Sequence, residues 1–300
     1  DLSDVIYNIS PTDTPFMSSV GKTKATAVYH EWQTDSLAAA ALNVAVEGAT
    51  ASDATMSPTS RVGNRCQISQ KTIKISNTLN AVDKAGRKSE KAYQLAKASA
   101  EIKRDMELTC LSNQVATNGN STTARALGGL QAWLSTTYSG GTSGVAGSGG
   151  TTARTNGTNR TFIESMLQTA VKGVYTAGGN PKVLMVTPAG KQTVSGFAGI
   201  AAQRYMAPTN APTTIIGAAD VYLSDFGTLS VVPNRFMNST NSADDVAFVI
   251  DPDMAAIAYL RPFQTNELAV TGDNESTQLL AEFTLEVKNE AAHGIIADLS

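Results

Sequence analysis

SEKAYQLAKASAEIKRDMELTCLSNQVAT, residues 89–117, is a nearly uninterrupted helical pattern in a chain otherwise rich in strand-favouring Thr and turn-favouring Ser. Small and apolar side chains recur at steps of three and four and form one narrow face: Ala92, Leu95, Ala96, Ser99, Ile102, Met106, Thr109, Cys110 and Asn113. Charged side chains fill the other faces: Lys97, Glu101, Lys103, Arg104, Asp105 and Glu107. At 1.5 Å per residue such a helix is roughly 40 Å long. A rod with one thin apolar edge predicts a scaffold element.

The start of this helix carries an unusual charge. Lys84, Arg87, Lys88 and Lys91 follow the spacing of one helical face. The helix dipole already makes this end positive, so each unpaired cation is disfavoured by about 0.3–1 kcal/mol. The pattern predicts an acidic partner. A solvated basic face, an acidic loop of a neighbouring subunit and nucleic acid all stay open as interpretations.

Composition indicates a folded protein with a neutral, hydroxyl-rich surface. Only 16% of residues are charged, against about 25% in typical proteins, whereas 61 of 300 are Ser or Thr. A net charge of −3 disfavours a protein whose main task is to grip phosphates over a wide patch, although local basic contacts stay possible. Three hundred residues suffice for one large domain or two subdomains.

No catalytic or metal-binding pattern emerges from the residues. Thr187–Gln192 imitates the end of a phosphate loop, but Met185 replaces its leading Gly and Gln192 its Ser/Thr. The only two histidines, His30 and His293, lack a metal-ligand or triad spacing. His293 lies near Asn289 and Glu290, and a structural histidine is favoured there over a polar site. The chain is therefore predicted to be no enzyme and to need no cofactor or metal.

Cysteine usage and hydropathy bear on location. Cys66 and Cys110 are too few for a disulfide framework and are predicted to be reduced, half-buried thiols. No run of 18 apolar residues occurs, and the first ten residues lack the pattern of a signal peptide. We expect a protein that is made and stays in a cytosol, with no membrane contact.

The N-terminal third predicts extended arms. Pro11 and Pro15 disfavour helix over residues 1–30. Residues 37–58 are too small to form a core, and residues 64–76 alternate as a strand with a predicted bulge near Lys71. Together the two latter segments predict a long hairpin that docks on something else, because an isolated two-stranded ribbon is marginally stable.

The rest of the chain predicts an α/β layer followed by a sheet. Residues 135–159 favour an exposed or flexible loop over a hairpin. Thr161 begins a predicted helix with a capping box to Glu164, residues 182–187 form a buried strand, and Pro188 opens another helix. The buried face of the first helix is predicted to hold Ile163, Met166, Leu167, Ala170, Val171 and Val174. The last 55 or so residues predict an antiparallel sheet beside the rod.

This order of elements resembles the Hong Kong 97 phage capsid fold. The segments SPTDTPFMSSVGK (10–22), AVDKAGRKSEKAYQLAKASAEIKRDMELTCLSNQ (81–114) and FTLEVKNEAAHGIIADL (283–299) are similar to major head proteins of tailed phages, within a subfamily often described as a domain of unknown function. The resemblance covers nearly the whole chain and implies an α+β capsid fold. Its motifs are general sequence features of the family and not a catalytic signature.

The resemblance assigns a role to each part of the chain. Residues 1–34 would be an N-terminal arm and 35–75 an extended loop. Residues 76–124 and 246–300 would form a peripheral domain with a spine helix at 81–118, and 125–245 an axial domain. Pentamers and hexamers would assemble in the host bacterial cytoplasm into an icosahedral virion shell around packaged double-stranded DNA, with portal, scaffold or decoration proteins as further partners.

Five residues are predicted to form contacts between subunits. Glu47 and Asp53 of the extended loop are the acidic candidates, and Arg87, Lys88 and Lys91 of a neighbouring spine helix are their basic partners. The rival interpretation turns the same cations toward the genome. At the level of function, the alternatives are an encapsulin-like nanocompartment and, less favoured, a secreted filament or adhesin.

Overall fold

The computed structural model describes residues 10–51, 53, 56–82, 89–197, 220–237 and 245–300. The helices within these residues are α1 Pro15–Ser19, α2 Asn77–Ala81, α3 Glu90–Leu111, α4 Leu130–Trp133, α5 Glu164–Thr176 and α6 Pro188–Ser195. The strands are β1 Gly21–Lys24, β2 Tyr29–Thr34, β3 Ser60–Arg65, β4 Gln67–Ser76, β5 Tyr138–Ser139, β6 Val183–Val186, β7 Val221–Ser224, β8 Gly227–Pro233, β9 Asp245–Ile250, β10 Ala255–Glu267, β11 Asn274–Val287 and β12 Gly294–Leu299.

The predicted rod exists as α3, but it is shorter than predicted. Ser89 caps its start by accepting a hydrogen bond from the backbone N–H of Ala92. The helix ends at Leu111, so the predicted continuation to residues 117–118 was wrong. Polar side chains compete with the helical ladder there. Gln131 donates to the Leu111 carbonyl at 3.0 Å, and Asn113 donates to the Arg154 carbonyl at 2.7 Å.

The apolar face of α3 was predicted correctly only in its second half. Ile102, Met106 and Cys110 are buried, whereas Ala92 and Ala96 are exposed. Placing Glu107 on a charged outer face was wrong, because this residue is completely buried. Ile102 and Met106 share one core with side chains of both large sheets, including Leu285 and Phe248. The rod thus packs on the four-stranded sheet, and its buried face belongs to a core that also includes side chains of the six-stranded sheet.

The first large sheet has four strands in the order β1-β10-β11-β4 and lies against α3. β10 and β11 run antiparallel, so the predicted sheet beside the rod is confirmed for residues 255–287. β4 pairs with β11 along its whole length without a register shift. The predicted bulge near Lys71 was therefore wrong: the interruption falls at Cys66, between β3 and β4. Residues 67–76 lie in this sheet and not in the hairpin.

The second large sheet has six strands in the order β5-β12-β9-β6-β8-β7. It contains the predicted strand β6, and it also takes β9 and β12 from the C-terminal segment that was expected in the other sheet. α5 buries Leu167, Ala170, Val171 and Val174 as predicted. The capping box was wrong: Ile163 is the N-cap, without a side-chain cap bond, and is exposed.

Residues 135–159 are largely exposed, as the favoured interpretation expected, but residues 145–155 within them pair as an irregular hairpin. Val145 and Thr155 exchange two backbone hydrogen bonds, at 3.0 and 2.9 Å. Beneath them Arg154 contacts the Asp298 carboxylate at 2.8 Å, with both side chains almost inaccessible to water. Burial alone would raise the pKa of Asp298, but N–H donors of Gly141 and Gly157 and the Arg154 guanidinium lower it. A buried ion pair thus fixes this glycine-rich segment.

Candidate assembly surface

The most exposed apolar segment of the described chain is the arm between β2 and β3, residues 35–59. Its large apolar side chains have exposed fractions between 80% and 98%: Leu37, Leu42, Val44, Val46 and Met56. The described part of the arm has no helix or strand. Scattered single apolar residues are normal on a protein surface, but five on one short segment mark a contact with another molecule.

The base of the arm is rigidly attached to the body. β2 and β3 pair antiparallel from Tyr29↔Arg65 to Thr34↔Ser60. Asn64 at this base is fully buried, and its amide donates to the carbonyls of Gly128 and Leu285 at 3.0 and 2.8 Å. Trp32 packs on Trp133 with ring centroids 5.5 Å apart. The hairpin therefore projects the arm in a direction set by the folded body.

Two carboxylates of β11 are buried beside the hairpin base, and one of them, Glu286, contacts β2 directly through His30. Glu286 accepts a hydrogen bond from Thr23 at 2.8 Å and contacts the His30 ring at 3.1 Å. Glu282 pairs with Arg125 and, at 2.7 Å, with Arg261. Sequence reasoning missed both acids, because alternation along β11 marked them as the solvent side. The hairpin base covers this face of the sheet instead.

Of the predicted contact residues that the structure describes, Lys91 contacts neither Glu47 nor Asp53. Glu47 and Asp53 are exposed on the arm, and Arg87 and Lys88 lie outside the described residues. Lys91 contacts Glu267 at 2.9 Å and Glu275 at 3.4 Å, on the hairpin of β10 and β11. The hydrogen bond that Lys91 donates to the Glu267 carboxylate raises the pKa of Lys91. The expected acid beside this cation thus exists, and it comes from the same chain.

Glu107 is the polar residue that sequence reasoning placed most wrongly. Its carboxylate accepts hydrogen bonds from the backbone N–H groups of Phe16 at 2.7 Å and Met17 at 2.9 Å, and from the Asn234 amide at 2.6 Å. Burial raises the pKa of Glu107, and the three donors oppose this shift. This one carboxylate joins the N-terminal helix α1, the rod α3 and the end of β8.

His293 has the structural role that its sequence context favoured. It is fully buried, its Nδ1 accepts from the Asp251 N–H at 3.3 Å, and its Nε2 lies 3.3 Å from the Met254 carbonyl. Burial lowers the pKa of His293, which favours the neutral ring.

Among the described residues no cluster of His, Cys, Asp or Glu could hold a metal ion. The helices described include none with the length and apolarity needed to cross a membrane.

Comparison with known proteins agrees with this architecture of rod, two sheets and exposed arm. The family model for the SU10 major capsid protein matches residues 1–300. The chain belongs to this family. A major capsid protein of Escherichia phage Phieco32 is 30% identical over 332 residues, covering 96% of this chain and 90% of the relative.

Solved structures show the same fold at low sequence identity. A capsid asymmetric unit of cyanophage A-1(L) superposes with a TM-score of 0.72 at 12% identity, over 99% of this chain and 96% of that one. The SrpI encapsulin complex of Synechococcus elongatus PCC 7942 gives 0.58 at 10% identity, over 98% and 94%. The protein is a phage major capsid protein with the Hong Kong 97-like fold, a virion component and a subunit of a homo-oligomeric shell. Membership of a structural family implies that it is no enzyme.

Proposed function

We propose that this major capsid protein forms pentamers and hexamers that close into an icosahedral shell around packaged double-stranded DNA, assembled in the host bacterial cytoplasm. The single observation that carries the proposal is the arm of residues 35–59, which is attached firmly at its base and exposes its apolar side chains. A second copy is the natural partner in a shell, because each subunit then gives one arm and receives another. Such a head-to-tail contact closes into rings when its rotation permits.

Each predicted domain would have its own role in the shell. The arms 1–34 and 35–75 would link neighbours, although α1 and β1 tie residues 15–24 to the body and β4 ties residues 67–76 to it. The peripheral domain, residues 76–124 and 246–300, would hold the spine helix and the four-stranded sheet. The axial domain, residues 125–245, would meet at the symmetry centres, and its six-stranded sheet borrows β9 and β12 from the C-terminal segment.

The surface composition supports reversible assembly. With only 16% charged residues, the chain offers few charged groups that could trap wrong pairings between subunits. Glu47 and Asp53 would contact Arg87, Lys88 and Lys91 of a neighbour, unless these cations face DNA. Lys91 can still join such a contact, because its bonds to Glu267 and Glu275 lie at the surface, where ion pairs are worth at most about 1 kcal/mol.

Electron microscopy of the purified, concentrated protein tests the proposal, with light scattering alongside. We expect closed isometric shells tens of nanometres across that contain DNA when recovered from infected cells. A variant in which residues 37–58 are replaced by a short Gly-Ser linker should fold but form no shells. Because β2 and β3 pair without the arm, this variant isolates assembly from folding.

Two results would count against the proposal. Normal shells from the arm-less variant would show that the arm is dispensable. Shells filled with a cargo protein and no nucleic acid would favour a nanocompartment. Portal, scaffold and decoration proteins would be sought as additional bands in the same particles.

A further inference from the structure

A groove with a volume of about 420 Å³ lies between α1, α3 and β10, next to the end of β1. Its apolar walls are Met17 of α1 and Tyr259, Pro262 and Phe263 of β10. The rings of Tyr259 and Phe263 lie 6.3 Å apart, both partly buried. Lys22 and Lys103 line the same groove. Aromatic walls with two cations suit an apolar segment that ends in an acid.

The groove depends on two irregular features of the fold. β10 shifts its register between Tyr259 and Arg261 and again before Gln264, so Pro262 and Phe263 fall outside the regular ladder. Such bulges turn side chains away from their regular positions. The opposite wall, α1, is held in place by the Glu107 carboxylate through the N–H groups of Phe16 and Met17. The groove is therefore built by specific contacts.

Both lysines are available to a partner. Among the described residues neither Lys22 nor Lys103 has a carboxylate within 4.0 Å. The Lys103 ammonium lies 6.0 Å from the Phe263 ring centre, which leaves its other side open.

The arm carries the complementary pattern. In an extended chain Leu42, Val44 and Val46 fall on one face, over about 13 Å, because side chains alternate every residue. Glu47 follows directly and enters a turn in which the Ala49 N–H donates to the Val46 carbonyl at 3.0 Å. Glu47 and Asp53 are the only charged residues between positions 36 and 59. The arm is therefore apolar with purely negative charge.

We infer that the groove between α1, α3 and β10 receives residues 42–47 of the arm from a second copy of this chain. Leu42, Val44 and Val46 lie on the aromatic wall, and Glu47 pairs with Lys22 or Lys103. This inference rests on the proposed function and adds the receiving surface. It replaces the pairing of Glu47 with the basic residues at 84–91 and leaves Asp53 as the acidic partner of those cations. Charge complementarity and the apolar match together select the occupant.

Disulfide trapping in assembled shells tests the docking directly. The full chain carries Ser18→Cys at the groove and Val46→Cys on the arm; the native Cys66 and Cys110 are fully buried and stay out of the reaction. Mild oxidation should convert most subunits into covalent dimers and longer ladders on a non-reducing gel. The matched control combines Val46→Cys with Leu223→Cys, since Leu223 is 68% exposed on β7.

The outcomes separate this inference from the proposed function. A ladder with Ser18→Cys and none with Leu223→Cys supports the groove. Shells without a ladder, or equal ladders in both variants, overturn it, even if the arm-less variant fails to assemble and the proposed function stands. Normal shells from the arm-less variant overturn both.

Charge reversal tests the pairing of Glu47. Lys22→Glu with Lys103→Glu should lower shell yield at least about tenfold, and adding Glu47→Lys should restore it. Reversal of two other exposed lysines, Lys97→Glu with Lys172→Glu, is the matched control and should leave the yield within about twofold. Equal losses in both pairs, or no rescue by Glu47→Lys, would refute the pairing.

Discussion

Replacing Glu107 by Ala should destabilise the subunit more than any other single change to a charged residue on α3. The substitution removes the acceptor of three hydrogen bonds, from Phe16, Met17 and Asn234. Each buried donor left without a partner costs about 1–3 kcal/mol. Loss of a buried negative charge and entry of water into the cavity offset part of the sum. We expect a decrease in unfolding free energy of about 3–5 kcal/mol.

Glu107→Gln should decrease the unfolding free energy less than Glu107→Ala does. An amide oxygen can still accept from Phe16 and Asn234, but its NH₂ group then faces the N–H of Met17, so one bond is lost. The expected decrease is about 1–3 kcal/mol. Glu101→Ala is the control on the same helix: Glu101 contacts Lys71 with both side chains one-third exposed, so its loss should cost at most about 1 kcal/mol.

Urea unfolding of the unassembled subunit, followed by tryptophan fluorescence, measures these differences. Trp32 and Trp133 stack at the base of the arm and report on the fold. Hydrogen exchange at the Phe16 and Met17 amides gives a local readout: a loss of about 3 kcal/mol corresponds to about 100-fold faster exchange. If Glu107→Ala costs less than about 1 kcal/mol and both amides keep their protection, the carboxylate does not hold α1.

Three further predictions follow from buried groups. Burial lowers the pKa of His293, so as the pH falls below 6.5 the unfolded chain binds a proton at this residue before the folded chain does. The unfolding free energy should then decrease by at most about 1.4 kcal/mol per pH unit. Urea unfolding of His293→Gln should lack this pH-dependent decrease. Arg154→Leu leaves the buried Asp298 unpaired and should cost about 3–5 kcal/mol in the same assay, whereas Arg61→Leu, in an exposed pair, should cost at most about 1 kcal/mol. Burial raises the pKa of Cys66 to about 11, so thiol labelling at pH 8 should require unfolding; fast labelling of the native subunit would contradict its burial.

Local signals in the sequence predicted those elements whose burial follows a simple period. α3, α5 and β6 were recognised because their apolar residues recur at helical spacing or form a short run between polar turns. Val183–Val186 is a buried strand, as its four consecutive apolar residues indicated. The exposed arm also followed from local signals, because residues 37–58 hold too little apolar bulk for a core. The composition of this segment alone was enough to predict its exposure.

Elements fixed by distant partners were not predictable in this way. At the end of α3 the Leu111 carbonyl accepts from Gln131, 20 residues further along the chain, and Asn113 donates to the Arg154 carbonyl, 41 residues away. Glu107 is buried because the N–H groups of α1, about 90 residues away, converge on it. β9 and β12 are adjacent strands of the six-stranded sheet, although β10 and β11 lie between them in sequence. Such pairings depend on the tertiary fold, and no local period reports them.

The energetics of the arm explain why a single contact between subunits should stay reversible. Burying Leu42, Val44 and Val46 of the arm would contribute about 4.5–9 kcal/mol, at about 1.5–3 kcal/mol each. Ordering its backbone costs about 1–2 kcal/mol for each residue fixed, so fixing the six residues 42–47 alone costs about 6–12 kcal/mol. The two terms nearly cancel for one arm. A ring in which every subunit both gives and receives an arm makes the last contacts intramolecular, and the effective concentration then favours closure. A weak arm therefore permits wrong contacts to dissociate during growth, while the closed shell is held by the number of its contacts.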